Sequence, residues 1–185
     1  MSGRFVAVVG PSGVGKDSLI DFARARLAHS GRVVFVRRIV TRPANGGEDH
    51  GSLDEGAFIA AEAGGAFALS WFAHGLHYGL PIALDADLAA GKLVVANLSR
   101  RMIPALLARY PDAVVVLVTA ERDVLARRLA ARGRETPAAI QARLDRDIDD
   151  RLPPDAVRID NSGELQAAGA QFTRLLADYS GIAAP

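Results

Sequence analysis

The segment GPSGVGKDS, residues 10 to 18, has the residue types and the spacing of a phosphate-binding loop. Gly10, Gly15 and Lys16 fit the pattern G-x-x-x-x-G-K, in which backbone N–H groups surround phosphate oxygens and the lysine contacts the outer phosphates. The hydroxyl that usually follows the lysine is replaced by Asp17, and Ser18 stands one position late. We predict a nucleoside triphosphate and magnesium site formed by Gly10, Pro11, Ser12, Gly13, Val14, Gly15, Lys16, Asp17 and Ser18.

An arginine-rich segment, LAARGRETPAAIQARL, is a second candidate for phosphate chemistry. Arg132 and Arg143 stand on either side of a turn that contains glycine. Guanidinium groups that close over a transferring phosphoryl group stabilise the charge on its oxygens. Alone, the segment favours a solvated helix face; behind a phosphate loop we favour the phosphate-binding interpretation.

A third group of cations lies in VRRIVTRP, residues 36 to 43, at the end of a predicted strand. Open α/β sheets bind ligands at the carboxyl ends of their strands, so Arg38 and Arg42 are candidates for binding an anionic acceptor. Strand alternation places Arg37 and Arg38 on opposite sides, so we do not expect both to bind it. Tyr78 could add a hydroxyl donor, and a half-buried structural tyrosine is an equal alternative.

Hydrophobic runs alternate with helix-like segments and must position these residues. Strands are predicted at 5–9, 32–40, 92–97, 113–120 and 156–160. Continuous apolar strands alternating with helices predict a three-layer α/β fold, with a mainly parallel five-stranded sheet and helices on both faces. Helices are expected after the phosphate loop, over 82–90, from about 121 to 132, and at the end of the chain.

The segment from about 41 to 80 is irregular and is predicted to be an inserted acceptor-binding subdomain. Ser52 and Glu55 form the pattern of a capping box that opens a short helix. Residues 67–72 are predicted as a strand, 74–81 as a loop, and Trp71 as a core residue rather than a substrate platform.

Composition limits the class of protein. The 185 residues suit a single domain, and half of them are hydrophobic. A net charge of +1 does not suggest a general nucleic-acid binder, and the absence of cysteine excludes disulfides and thiolate metal sites. No apolar stretch reaches the roughly 18 residues of a membrane span. We expect a cytoplasmic protein with no nucleic-acid or membrane partner; its oligomeric state is open, with a homodimer as one alternative.

Over nearly the whole chain the sequence resembles the guanylate-kinase-like branch of the P-loop kinases. The shared motifs are GPSGVGK, TRP followed by Gly47 and Glu48, G-x-x-Y-G at 75–79, and RGRE. The resemblance implies that ATP is the donor and that Arg42 and Tyr78 hold the phosphate of the acceptor. It also implies that Arg132 and Arg143 belong to a lid at about 132–143 and act in catalysis with Lys16.

Three departures from this family concern the acceptor. The second arginine of the acceptor site is here Asn45, the carboxylate that reads guanine is Leu69, and the acidic end of the third main strand is Asn97. A leucine cannot accept hydrogen bonds from guanine, and an unpaired polar group costs about 1–3 kcal/mol. The sequence therefore keeps phosphate-binding residues and lacks base-reading ones.

With these three departures, the sequence resembles a branch of the family whose acceptor is ribose 1,5-bisphosphate. This resemblance implies formation of 5-phosphoribosyl 1-diphosphate in bacterial phosphonate breakdown, with Arg38, Ser99 and Arg100 as further acceptor contacts. The alternatives are a nucleoside-monophosphate kinase for GMP, which Leu69 opposes, and a catalytically silent binding module, which the intact Gly15–Lys16 loop opposes.

Asp17 has two possible roles. P-loop kinases usually hold magnesium with the loop hydroxyl and an acidic residue at a strand end. Because that strand end is here Asn97, Asp17 could return the missing negative charge to the metal. Alternatively, Asp17 complements the positive end of its helix while Ser18 faces the ion.

Overall fold

The computed structural model describes residues 3–42, 50–131 and 152–183. Its strands are β1 (Arg4–Val9), β2 (Val33–Phe35), β3 (Arg38–Val40), β4 (His50–Ser52), β5 (Phe67–Ala73), β6 (Leu76–Pro81), β7 (Leu93–Asn97), β8 (Val114–Thr119) and β9 (Val157–Asp160). Its α-helices are α1 (Lys16–Leu27), α2 (Glu55–Ala63), α3 (Leu84–Ala89), α4 (Ile103–Arg109), α5 (Arg122–Ala131) and α6 (Leu165–Ser180). None of these helices is long and apolar enough to cross a membrane.

The main sheet has five parallel strands in the order β2-β7-β1-β8-β9. Alternating side chains of β1 point to opposite faces. Val6 and Val8 pack with α1, α5 and α6, whereas Phe5 and Ala7 pack with α3, α4 and the second sheet. The predicted five-stranded parallel sheet with helices on both faces is confirmed, and all its carboxyl ends lie at one edge.

The prediction of one strand over 32–40 is wrong. Residues 33–35 pair with β7 in the main sheet, and Val36 N still donates to Val95 O at 2.9 Å. Two arginines then interrupt the apolar run. The chain leaves the main sheet at the exposed Arg37, and Arg38–Val40 joins the second sheet.

The second sheet has the order β4-β3-β6-β5, with β3 parallel to β4 and antiparallel to β6. The interpretation of 74–81 as a loop is wrong, because β6 forms a hairpin with β5. Its two-residue turn is His74 and Gly75, with φ of 54° and 74°. Positive φ at both positions is the geometry of the tightest hairpin turns. The predicted insertion at about 41–80 corresponds to this small mixed sheet together with α2. The sheet begins at Arg38 and ends at Pro81.

The cap of α2 also differs from the prediction. Asp54, not Ser52, is the N-cap residue, and its carboxylate accepts a hydrogen bond from Ala57 N at 2.7 Å. Ser52 ends β4 instead, and its hydroxyl donates to Arg42 O at 2.6 Å. The hydroxyl thereby ties the end of β4 to the backbone that carries Arg42.

Candidate active site

The phosphate loop lies at the carboxyl end of β1 and leads directly into α1. Gly10 and Gly15 have φ of 148° and 92°, values that side chains rarely allow. A Cβ at Gly10 would lie 2.4 Å from Val118 O, and one at Gly15 would lie 2.5 Å from Asn161 Nδ2. Both positions therefore need glycine for close packing as well as for backbone conformation.

Lys16 is folded over the loop that precedes it. Its Nζ donates to Gly10 O at 2.8 Å and to Pro11 O at 2.9 Å. Lys16 is also the first residue of α1, so its charge adds to the positive end of the helix dipole. This arrangement concentrates positive potential at the loop, as an anion site requires.

Sequence reasoning missed two residues that brace the loop, Asn161 and Arg128. Asn161 is buried after β9, and its Nδ2 donates to Val14 O at 2.7 Å. Arg128 Nη1 donates to Asn161 O at 2.9 Å and lies 3.4 Å from Val14 O. The signal for Asn161 was its position just past the carboxyl end of a parallel strand, where α/β proteins place ligand contacts. Arg128 directly precedes the arginine-rich segment that begins at residue 129, and no local pattern distinguishes it from the other arginines there.

Asp17 and Asn97 are in direct contact. Asn97 Nδ2 donates to Asp17 Oδ1 at 2.6 Å, and the Asn97 side chain is buried. Arg38 Nη2 lies 3.7 Å from the same Oδ1 atom. The second residue of α1, the end of β7 and the start of the second sheet therefore meet at one carboxylate, next to the phosphate loop. Ser18 is exposed on the following position of α1.

Arg38 and Tyr78 lie on the same side of the second sheet. Val40 pairs with Tyr78 across the two strands, and Arg38 shares the face of Val40 because it lies two residues away. The Arg38 guanidinium carbon is 5.9 Å from the centre of the Tyr78 ring, within the range of a cation–π contact. Arg37 lies just before β3 and is exposed.

The other predicted acceptor residues in the described part of the chain follow strands β3 and β7. Arg42 follows β3 and is partly buried, with its backbone carbonyl held by Ser52. Ser99 and Arg100 follow β7 and are partly buried at the start of a 3₁₀ turn at the same edge of the main sheet. Arg132 and Arg143 lie outside the described residues.

A polar cluster at the opposite edge has a different character. Tyr110 donates to Asp85 Oδ1 at 2.5 Å, and Arg109 donates both to Tyr110 and to Asp85. Burial, followed by the hydrogen bond to Asp85, raises the pKa of Tyr110 to about 12. These groups line a cavity of about 340 Å³ beside Phe5, near the amino end of β1. They are far along the strand from the phosphate loop, so we assign them a structural role.

No protein-family model matches the chain. The fold is similar to that of a guanylate kinase from Anaplasma phagocytophilum, with a TM-score of 0.68, 16% identity and coverage of 97% of this chain and 87% of that one. A gluconokinase from Sinorhizobium meliloti aligns with a TM-score of 0.54 and 18% identity over 96% of this chain and 94% of that one. At these identities the likeness concerns the fold, that of an α/β P-loop kinase.

Sequence relatives are much closer. A ribose 1,5-bisphosphate phosphokinase from Chelativorans sp. is 54% identical over 94% of this chain and 85% of that protein. The enzyme of the same name from Brucella melitensis is 51% identical over 92% of this chain and 90% of that protein. A bifunctional ribose 1,5-bisphosphokinase-thymidine phosphorylase from Cupriavidus necator is 48% identical over 95% of this chain, which spans 29% of that longer protein. The chain belongs to the ribose 1,5-bisphosphate phosphokinase family.

Proposed function

We propose that this protein transfers the γ-phosphoryl group of ATP to the 1-phosphate of ribose 1,5-bisphosphate. The bond between the γ-phosphorus and the bridging oxygen of ATP breaks, and a bond forms from that phosphorus to an oxygen of the 1-phosphate. The products are 5-phosphoribosyl 1-diphosphate and ADP. The observation that carries the proposal is Arg38, which lies 3.7 Å from Asp17 next to the phosphate loop and 5.9 Å from the Tyr78 ring, together with a buried Leu69 that offers no group for reading a base.

The residues suit a reaction that depends on positioning and charge neutralisation. An acceptor phosphate is already ionised near neutral pH, so no strong general base is needed. Lys16 would exchange its two loop carbonyls for the outer phosphates of ATP, which is a short movement for a flexible side chain. Arg38 would oppose it from the acceptor side. Cations on both sides of a transferring phosphoryl group stabilise its charge and hold the reactants in line.

The residues beside the loop also suit Mg²⁺, which prefers oxygen ligands and is usually held by one or two carboxylates together with substrate phosphates. Asp17 supplies a carboxylate, and among the described residues its contacts with Asn97 and Arg38 both engage Oδ1. Asp17, with Ser18 beside it, would hold the ion, which would neutralise the phosphate charge when bound. The described residues contain no cluster of three or more acidic or histidine side chains, and a magnesium ion shared with substrate phosphates needs none.

The proposed acceptor site consists of Arg38, Arg42, Tyr78, Ser99 and Arg100. The proposed lid contains Arg132 and Arg143. A bisphosphate acceptor accounts for this number of phosphate-binding groups in a site without base-reading groups. A cytoplasmic location and phosphonate breakdown as the metabolic setting are part of the proposal.

The proposal is tested by comparing acceptors. We expect kcat/KM for ADP release to be more than about 10³-fold higher with ribose 1,5-bisphosphate than with GMP. Polar groups of guanine left unpaired in a buried apolar pocket exclude GMP far more strongly than a difference in size would. Mass spectrometry should detect 5-phosphoribosyl 1-diphosphate as the product. A higher kcat/KM for GMP would instead identify a divergent guanylate kinase.

Replacement of Arg42 should affect one substrate only. We expect Arg42→Ala to raise the KM for ribose 1,5-bisphosphate by about 10- to 100-fold, since a charge-assisted bond to phosphate contributes about 1.5–3 kcal/mol. The KM for ATP should change less than about threefold, because ATP binds on the other side of the site. Initial rates with each substrate varied in turn measure both effects. Equal weakening for the two substrates would place Arg42 outside the acceptor site.

A further inference from the structure

Trp71 is the residue beside the acceptor site whose role the proposed function does not explain. It stands directly opposite Tyr78 in the β5–β6 pair. The two rings are stacked, with centres 5.3 Å apart and planes inclined by only 5°. The indole also packs against the hydrophobic cluster between the two sheets, so its position is fixed from behind. Trp71 is therefore a core residue with one side toward the acceptor site.

The Tyr78 ring is flanked on both sides. Strand β6 lies between β3 and β5, so Trp71 approaches the ring from the β5 side and Arg38 approaches it from the β3 side. A nucleobase attached to a phosphate held by Tyr78 would find neither face of the Tyr78 ring open for stacking. Stacking on an aromatic side chain contributes about 1–3 kcal/mol to the binding of a base, and the Tyr78 ring does not supply this contribution.

The surface next to the stack is apolar as well as filled. Leu69 shares the face of Trp71 because it lies two residues earlier on β5, and its side chain is buried. An indole has one N–H donor and no acceptor, and leucine has neither. A guanine that entered this space would leave its amino and ring N–H groups unpaired.

We propose that Trp71 determines the acceptor specificity of this enzyme. Its indole fills the space over Tyr78 and Leu69 that the base of a nucleoside monophosphate would need, so that a compact sugar phosphate is accepted and a nucleotide is excluded. This inference rests on the proposed function and extends it from the phosphate groups to the rest of the acceptor.

The experiment compares Trp71→Ala and Trp71→Leu with the wild-type enzyme. Leucine keeps apolar contact with the core while leaving the Tyr78 face open, so it guards against a folding defect in the alanine variant. Phe72→Ala is the matched control, since Phe72 is the next residue on the same strand, on the opposite face, and is 62% exposed. Each enzyme is assayed with ribose 1,5-bisphosphate and with GMP, and GMP binding is measured by calorimetry.

We expect the preference for ribose 1,5-bisphosphate over GMP to fall by about 10- to 200-fold in both Trp71 variants, which is the range by which pocket size discriminates between ligands. The fall should come mainly from tighter GMP binding. Phe72→Ala should keep the wild-type preference. An unchanged preference in a Trp71 variant with a native circular dichroism spectrum overturns the inference.

A second measurement does not depend on turnover. Trp71 is the only tryptophan of the chain, so its fluorescence reports on this position alone. We expect titration of the wild-type protein with ribose 1,5-bisphosphate to change the emission, with a midpoint equal to the dissociation constant from calorimetry. Emission that stays constant while calorimetry shows saturation overturns the inference but leaves the proposed function intact. A wild-type enzyme inactive on ribose 1,5-bisphosphate overturns the proposed function itself.

Discussion

Lys16→Ala should lower kcat by about 10²- to 10³-fold or more, the loss that follows removal of one preorganised group from a transition state. In the proposed mechanism the Lys16 ammonium neutralises charge on the outer phosphates, and the described residues provide no other lysine at the loop. Initial rates at saturating ATP and ribose 1,5-bisphosphate measure the effect. The KM for ATP should rise as well, because the same charge contacts the ground-state phosphates.

Lys92→Ala is the matched control for this prediction. Lys92, the other lysine of the chain, lies just before the amino end of β7 and pairs with Asp87 at 2.9 Å. That position is the opposite edge of the main sheet, so its loss should leave kcat within about twofold. The Lys92–Asp87 ion pair is partly exposed, and the loss of such a surface pair costs about 1 kcal/mol of stability or less. Near-normal turnover by a folded Lys16→Ala enzyme would remove the phosphate loop from the mechanism.

The main sheet could be predicted from the sequence because its strands are continuous apolar runs separated by helix signals. Such runs are typical of parallel strands buried on both faces. Prediction failed where two arginines divided a run, since residues 32–40 read as one strand but supply strands to two different sheets. It failed again at 74–81, where a hairpin turn with positive φ at a histidine was interpreted as a loop.

The candidate site was predictable only in part, for a related reason. The phosphate loop is a local motif, whereas its bracing by Asn161 and Arg128 joins residues far apart in the sequence. No local pattern reports such contacts, because they arise only when β9 and α5 pack beside the loop. The contact between Asp17 and Asn97 could be suspected from two simultaneous departures from the usual motif, and the structure now places the two side chains together.

The second prediction with a large expected effect concerns Asp17 and Asn97. In the usual arrangement a hydroxyl follows the loop lysine and a carboxylate ends the strand. Here the carboxylate is on Asp17 and the neutral group is Asn97, and their side chains are 2.6 Å apart. Exchange of the two groups therefore keeps one negative charge at nearly the same place. If that charge serves magnesium, its presence matters more than the residue that carries it.

We expect Asp17→Asn to raise the magnesium concentration for half-maximal activity by about 10- to 100-fold, the range seen when a group that tunes a metal site is lost. Added magnesium should restore part of the activity. Asp17→Ser should not restore the wild-type magnesium requirement fully, because Asn97 still carries no charge. The double variant Asp17→Ser/Asn97→Asp should approach the wild-type magnesium requirement, since it restores one carboxylate and one hydroxyl in the usual order.

The helix-dipole alternative gives a different pattern with the same variants. Asp17 lies in the first turn of α1, where a carboxylate stabilises the helix by about 0.3–1 kcal/mol. On that account Asp17→Asn lowers the free energy of unfolding by this amount and leaves the magnesium requirement unchanged. Asn97→Asp in the double variant then does not recover the lost free energy of unfolding, because the end of β7 is not part of α1. Magnesium-dependent binding of a non-hydrolysable ATP analogue, measured by calorimetry beside urea unfolding, separates the two accounts without relying on turnover. A wild-type magnesium dependence in Asp17→Asn would exclude the metal role, and Asp17 would then act through Arg38 and the helix end alone.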